Sequence, residues 1–486
     1  MSARRKKVAV ALLLLGLAVL ACAQVWCRPV DRDEGFWLYT SWRVAEGELP
    51  YRDFALPHLP LASFYYAGAT RVLGPSLYGL RFLNVILFLA GAAALGWATL
   101  RRLGRPTAFF TTLLFLSSSL TLTWLVPVKS YAPASAALTL AVAVWLWPRR
   151  NAGPSLARAA VMGLLLGVAT LSRLTLLVTV AAAAAAIWLA APPKAGSRLA
   201  AVAALCAGFL ATAPVILYFR AAAGDAFVFN VWGIHKLFLG EAGGDRLAAL
   251  SGLLVIPDSM LLLVLAVIGY YAGKRKVLSF PIIVGAVIIL ANFVPGSAQR
   301  QYFVLAVAAL APVAGAGAAA LWEKRRYTAV IVVAMAALSG AARPAAKVVF
   351  DRAHKELVGP AEVYAAADLL ARGTAPDDVV FTAWPGYAAL ARRRVMPAWE
   401  LGYFTDRIGK RLDAARRRRF HLITYDETAA ALARGDVPFA LNGLDTPGVL
   451  DAALSRHFEP LTSRRGVTLL RFRAPANGGD DETGPR

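Results

Sequence analysis

What most limits the fold of this chain is the recurrence of apolar stretches long enough to cross a bilayer. A helix spanning the hydrocarbon core needs about 20 apolar residues. The sequence offers such stretches at residues 8–27, 77–100, 107–126, 133–148, 156–172, 174–191, 199–219, 248–272, 277–294, 301–321 and 327–345, about 11 spans in all. A 486-residue chain with 58% hydrophobic residues and a mean hydropathy of +0.56 is therefore expected to be a polytopic α-helical membrane protein. "VLAC" at 19–22 faintly resembles a lipoprotein cleavage box, but with so many spans behind it the first segment reads as an uncleaved helix. The three cysteines form no CxxC pair, so no zinc site or disulfide framework is expected.

The net charge of +23 sorts by position. "RRKK" (4–7), "RRLGR" (101–105), "PRR" (148–150), "PPKAGSR" (192–198), "GKRK" (273–276) and "EKRR" (323–326) fall on alternate connections. Lys and Arg gather on the cytoplasmic side of membrane proteins. The charge is thus a topology signal and does not call for a nucleic-acid partner; the expected setting is the inner (plasma) membrane, with its lipids as neighbours and the N-terminus in the cytoplasm. Loop 28–76, loop 220–247 and everything after about residue 346 then lie outside. Residues 347–475 alternate short apolar runs, "DVVFT" (378–382), "HLITY" (421–425), "VPFAL" (437–441) and "VTLLRF" (467–472), with helical patterns such as "AEVYAAADLLAR" (361–372). That alternation predicts a small extracytoplasmic α/β domain behind a transmembrane domain at 1–346. It lacks a glycine-rich phosphate fingerprint, so no nucleotide site is assigned; the tail 476–486 has the composition of a disordered segment.

The first outer loop carries the densest chemistry. "DRDEGFW" (31–37) sets Asp31, Asp33 and Glu34 where the first span ends, with Arg32 among them. Ionisable groups at membrane depth are functional candidates by default. "GFWLYTSWRVAEG" (35–47) is aromatic almost all round, as in a helix lying at headgroup level. "GELPYRDF" (47–54) is a turn, and "LPLASFYYAGATRVLG" (59–74) puts Leu61, Phe64, Tyr65, Gly68 and Val72 on one helical face.

"DEGFWLYTSWRVAEGELPYRDFALPHLPL" (33–61) resembles the first extracytoplasmic loop of the GT-C glycosyltransferases, nearest to the protein O-mannosyltransferases and the lipid A aminoarabinose transferases. The resemblance implies a GT-C fold and transfer of a sugar from a polyprenyl-phosphate-linked donor to a lipid, glycan or protein acceptor at the outer face. It aligns Asp33 with the catalytic Asp and Glu34 with its neighbour. "HLPL" (58–61) stands at the Lys-Pro-Pro-Leu element, with His58 in place of the family's phosphate-binding lysine. "RQYFVLAVAALAP" (300–312) is similar to the Arg-x-Tyr start of a late span, which brings in Arg300 and Tyr302. In loop 127–132, where relatives often place a second Asp, "PVKSYA" supplies Lys129. The resemblance implies an enzyme without a cofactor, and the Asp-x-Asp spacing of 31–33 is the only feature suggesting a divalent metal.

Because a phosphate leaves readily, transfer from such a donor needs no general acid, only a base for the acceptor proton. Asp33 is the expected base, raised in basicity by neighbouring carboxylates and partial desolvation. Cations on the leaving phosphate would complete the site. Basic residues on the outer side run against the topology trend, which singles out Arg81, Lys129, Arg173, Arg220, Lys236 and Arg300, with His58 and His235. For Arg220 a side chain snorkelling from a helix end is the simpler reading. The competing functions are a transporter or flippase of lipid-linked glycans, which would show internal repeats and broken, charged spans near the midplane, and a non-catalytic sugar-lipid binding subunit. The topology has a direct check: a reporter active only outside the cytoplasm should be active when fused after residue 346 and silent when fused at residue 275.

Overall fold

The computed structural model describes residues 3–148, 155–190, 195–238, 256–273, 275–293, 299–350, 359–443, 446–464 and 466–473. The expectations for residues 239–247, the start of the span at 248–255 and the tail 476–486 lie outside the described residues. Within them, five helices are long and apolar enough to cross a membrane: Val8–Cys27, Leu77–Leu103, Gly196–Leu237, Arg300–Lys324 and Arg326–Ala346. Five shorter apolar helices accompany them: Tyr131–Leu146, Leu156–Ser172, Leu174–Ala190, Pro257–Ala272 and Val277–Ala291.

The expected span 107–126 is different. It breaks into α5 (Arg105–Ser117) and α6 (Ser119–Trp124) at Ser118, whose backbone is extended. The cause is Asp258, buried at the start of the helix Pro257–Ala272. Its carboxylate accepts the Ser119 N–H at 2.9 Å and the hydroxyls of Ser118 and Ser119 at 3.0–3.3 Å. A helix start inside a membrane needs its orphan N–H groups satisfied within the protein, and a side chain from another helix does so here.

Close approach elsewhere in the bundle depends on small residues. Gly269, in the helix Pro257–Ala272, and Gly317, in the helix Val304–Lys324, face each other's backbones. A Cβ on Gly269 would stand 1.9 Å from the Val313 carbonyl oxygen, and one on Gly317 2.0 Å from that of Leu265.

After α1 (Ala3–Cys27) the chain enters α2 (Arg32–Ala45), then α3 (Leu61–Leu73), then α4 (Leu77–Leu103). The expected apolar face of α3 is indeed outward, with Phe64 and Val72 exposed and Ala62, Ser63, Tyr66, Ala67 and Thr70 buried. For α2 the structure shows a protein cover that the sequence did not. Every residue from Glu34 to Val44 is buried. The helix is aromatic all round because it is covered all round, by α3 on one side and by the C-terminal unit on another. Phe36, Trp37, Tyr39 and Trp42 share one hydrophobic cluster with Phe381, Trp384, Tyr387 and Trp399. Gly35 meets the Trp384 indole so closely that a Cβ there would lie 2.4 Å from Nε1, and this indole donates to the Arg32 carbonyl at 3.1 Å.

The C-terminal unit is a five-stranded mixed sheet flanked by helices. Strands β1 (Val379–Thr382), β2 (Arg394–Val395), β3 (Phe439–Asn442), β4 (Phe458–Arg464) and β5 (Val467–Phe472) lie in the order β2-β1-β3-β5-β4. β1 is parallel to β2 and β3, whereas β5 is antiparallel to β3 and β4. The run "HLITY" forms no strand: Thr424 and Glu427 make a capping box that turns it into the start of the helix Tyr425–Arg434. Because Gly269 and Gly317 touch backbone directly, Gly317→Val should force the two helices apart. A loss of about 2 kcal/mol or more is expected, read as an earlier thermal unfolding transition in detergent than for Ala316→Val on the same helix.

Candidate active site

The acidic cluster is partly a folding device. Asp31 is the N-cap of α2, its carboxylate accepting the Asp33 N–H at 3.0 Å, while Glu34 reaches back to the Asp31 N–H at 3.0 Å. This capping box fixes where α2 begins. Glu34 does more. Arg81, near the start of α4, makes a two-pronged ion pair with it, Nε to Oε1 at 2.9 Å and Nη2 to Oε2 at 2.5 Å. Both side chains have no exposed surface. The remaining guanidinium hydrogens go to the carbonyls of Val25, Arg28 and Pro29, where α1 ends, at 2.9–3.3 Å. The Val128 N–H donates to Glu34 Oε1 at 2.9 Å. Burial by itself would push the Glu34 carboxyl up, but the Arg81 charge and these hydrogen bonds outweigh it and hold it below its ordinary value.

This arrangement encloses two of the candidate residues. Glu34, aligned beside Asp33 by the family resemblance, is sealed from solvent by its own partners. Arg81 was expected as an outer-side cation for a phosphate, yet its donors are consumed by Glu34 and three carbonyls. Together they place the functional groups around them.

Lys129 is the main beneficiary. Its loop is pinned by the Asn84 amide, which donates to the carbonyls of Val126 and Pro127 at 3.2 and 2.8 Å, by Val128 on Glu34, and by the Tyr66 hydroxyl donating to the Lys129 carbonyl at 2.6 Å. The ammonium is buried between Asp31 Oδ1 at 2.8 Å and Asp33 Oδ2 at 2.9 Å, with Gln301 Oε1 at 3.3 Å and the Trp124 ring beneath it. Burial disfavours its charge, but Asp33 and Asp31 more than compensate, so Lys129 stays protonated above the usual lysine range. The expected repulsion among neighbouring carboxylates is replaced by one shared cation, which also fills the space between the Asp-x-Asp carboxylates. Among the described residues no group of three or more His, Cys, Asp or Glu side chains converges as a metal site would.

Asp33 and Asp31 both remain partly exposed, at 29% and 22% of the side chain, but Asp31 is committed to the α2 cap. The second oxygen of Asp33, Oδ1, accepts the hydroxyl of Tyr403 at 3.0 Å. Tyr403 belongs to the C-terminal unit, at the start of the helix Tyr403–Gly409.

Arg173 lies at the end of α8 (Leu156–Ser172). Its guanidinium is stacked between Tyr131 at 4.2 Å and Tyr302 at 4.8 Å, and Nη1 donates to the Ser130 hydroxyl at 3.3 Å. Its buried Nε–H has no acceptor. Tyr302 is held in turn by the Asn292 amide donating to its carbonyl at 2.9 Å. Arg300 is exposed at the head of the same short 3₁₀ turn, and it is Gln301 that reaches Lys129. Arg220 is exposed beside Asp225, 3.6 Å away.

His58 stacks on Trp37 with ring centroids 5.0 Å apart, and its carbonyl accepts the Tyr51 hydroxyl at 2.6 Å. Burial, reinforced by Arg173, His235 and Lys129 nearby, holds its pKa well below 6.5. The His58 imidazole is therefore neutral around pH 7, with burial and nearby cations both disfavouring its charged form.

The site is built from α2, the 125–130 loop, the end of α8, the 299–303 turn and a residue more than 300 positions downstream. No protein-family model matches the chain, and no curated protein matches it in sequence. Its three-dimensional arrangement does match solved structures. ArnT from Cupriavidus metallidurans, bound to undecaprenyl phosphate, superposes with a TM-score of 0.69 at 14% identity, over 96% of this chain and 98% of that one. The chain has the GT-C fold.

Further GT-C structures extend the likeness. The arabinofuranosyltransferase AftD from Mycobacteria matches with a TM-score of 0.54 at 14% identity over 98% of this chain and 40% of that one. An oligosaccharyltransferase from Archaeoglobus fulgidus matches with a TM-score of 0.51 at 12% identity, over 98% and 76% of the two chains. Within the GT-C fold, the multi-pass bundle and the small C-terminal mixed sheet are parts of one architecture. Sequence reasoning missed Tyr403 and Gln301, which carry no motif, and the capping role of Asp31 and Glu34, for which the Asp-x-x-Glu spacing was a visible signal. Breaking the ion pair has a definite expected cost. Arg81→Ala strands a buried carboxylate and should destabilise by about 3–5 kcal/mol. The Glu34 contribution is present above its ordinary value of 4.5 and is lost as pH falls below it. The difference in melting temperature between wild type and variant in detergent should thus shrink on acidification from pH 7 toward 4.

Proposed function

We propose that this chain is a membrane glycosyltransferase that moves a sugar from a polyprenyl-phosphate-linked donor to a hydroxyl-bearing acceptor at the outer face of the membrane. The observation that carries this reading is the placement of Asp33: a partly exposed carboxylate at the head of an apolar bundle, paired with Lys129, while Arg173 is held on the next residues of the same loop through Ser130 and Tyr131. The GT-C fold supports it, since ArnT has been solved with undecaprenyl phosphate and the archaeal oligosaccharyltransferase with a dolichol-phosphate.

In this mechanism Asp33 takes the acceptor hydroxyl proton as the oxygen attacks the anomeric carbon. The bond to the polyprenyl phosphate breaks on the opposite face, so the configuration inverts. No acid is required, because the phosphate leaves as a stable anion. Arg173 suits that anion: its plane is fixed between two tyrosines, and its Nε–H is unsatisfied until an acceptor oxygen arrives. Lys129 supplies a second fixed positive charge next to the base, preorganised before the substrates bind. Arg300, exposed at the mouth of the turn, is available to the phosphate as it enters. His58, neutral, serves as an apolar wall on Trp37 in this reading and leaves the anion to the other cations.

Asp33→Asn keeps the shape and removes the base, so transfer from a synthetic polyprenyl-phosphate sugar should fall by about 10²-fold or more. Donor half-saturation should stay close to that of wild type. Arg173→Gln should raise the donor concentration needed, and between pH 6 and 8 that concentration should be flat for wild type, because His58, held well below its ordinary value, stays neutral there. Normal turnover by Asp33→Asn would overturn the assignment.

A further inference from the structure

Each oxygen of Asp33 already accepts one side-chain donor, Tyr403 on Oδ1 and Lys129 on Oδ2, and the donor that is more easily displaced marks the side from which a substrate hydroxyl can take its place. The two partners are not equivalent. Lys129 is tied to Asp31, Asp33 and Gln301 at once, over the Trp124 ring and within a loop pinned by Asn84, Tyr66 and Glu34. Tyr403 makes a single hydrogen bond, to Asp33 Oδ1. Its ring is half-buried with the Arg32 guanidinium 5.7 Å from its centre. It also belongs to the C-terminal unit, which reaches α2 by way of Trp384 and Tyr39 and is no part of the membrane bundle.

The geometry of that single bond is the geometry a general base needs of its substrate. A hydroxyl donates to the carboxylate at 3.0 Å, inside the 2.6–3.2 Å reach expected for proton abstraction. The phenol itself cannot be the nucleophile: burial and the Asp33 charge hold its proton far more tightly than in an ordinary tyrosine. It is a hydroxyl that binds like an acceptor and does not react.

We infer that Asp33 Oδ1 is the acceptor subsite, that the Tyr403 hydroxyl holds the place of the acceptor hydroxyl there, and that the acceptor enters between α2 and the C-terminal unit by displacing it. The donor phosphate then lies on the Lys129 and Arg173 side, and the two substrates reach the carboxylate from opposite oxygens. The ligand class is an alcohol: an acceptor hydroxyl donates to Oδ1 as the phenol does. A phosphate monoanion or dianion would instead bring negative charge against Asp33, with Tyr403 its nearest neutral donor. This assignment rests on the reading of Asp33 as the base, and the experiment separates the two.

The test uses the full-length protein in detergent, a panel of radiolabelled synthetic polyprenyl-phosphate sugars, and as acceptor a total envelope extract from a strain lacking the chain, titrated in amount. Tyr403→Phe removes the hydroxyl and keeps the ring under Arg32. If the hydroxyl competes with the acceptor, the half-saturating amount of extract should fall by about fivefold, the worth of one ordinary hydrogen bond. Donor half-saturation should be untouched, and the gain in kcat/KM should come through KM. If Tyr403 instead only holds Asp33 in place, kcat falls and acceptor half-saturation does not improve, which overturns the subsite assignment while Asp33→Asn still loses transfer. If wild type transfers nothing from any donor, or Asp33→Asn transfers normally, the base reading fails and this one with it. A second measurement does not depend on turnover. With 3-fluorotyrosine at position 403, the fluorine resonance should shift on adding the extract and not on adding undecaprenyl phosphate alone; a shift with undecaprenyl phosphate alone, or none with the extract, places the acceptor elsewhere.

Discussion

The arrangement hangs on a carboxylate and a guanidinium that never meet water. Two charges taken out of solvent are stable only when geometry and further hydrogen bonds are both good, and Glu34 with Arg81 has both. One pair joins the end of α1, the start of α2, the first turns of α4 and the loop before Tyr131. Four separate stretches thereby acquire fixed relative positions at one end of the bundle. The neighbouring ion pair, partly exposed Asp33 with buried Lys129, inherits its position from that knot. A charge without chemistry of its own is the reason that a charge with chemistry is in the right place.

The same end of the molecule shows how cations can be set without neutralising what they serve. α4 carries Arg81 near its beginning and Arg101 and Arg102 in its last turn, roughly 30 Å apart at 1.5 Å per residue. The later pair follows the topology trend of the basic clusters. Arg81, Lys129 and Arg173 run against it, and each is buried with a specific environment: an ion pair, a shared carboxylate pair, a double aromatic stack. Exposed Arg220 lacks such an environment and faces only Asp225 across 3.6 Å.

Much of this was legible before any coordinates. Long apolar segments have one way to fold, so the helical bundle followed from length and composition, and the α/β character of the C-terminal unit from its alternating runs. The break at Ser118 was not legible, because its cause is Asp258, a residue far along the chain that caps a helix not its own. "HLITY" looked like a strand on hydrophobicity, and local capping by Thr424 and Glu427 won. In the site, Asp33 stood out by its neighbours, whereas Glu34 and Arg81 could be ranked only once burial was known. The protonation of His58 was hidden for the same reason, since a sequence does not show the surroundings that lower its pKa. Tyr403 had no signal at all, because its role depends on the C-terminal unit folding back onto α2.

That folding back has a consequence in time. α2 emerges from the ribosome early, and Trp384, which packs on Gly35, emerges only after the whole bundle has been made. At ~5–20 residues per second the wait is on the order of tens of seconds. During it, Phe36, Trp37, Tyr39 and Trp42 have no protein partner from the C-terminal unit, and the membrane interface is the nearest medium that suits an aromatic helix. The composition of this helix suits two successive environments, an interface before the C-terminal unit is made and, afterwards, the cover that Trp384 and the helix Gly386–Ala391 lay over it.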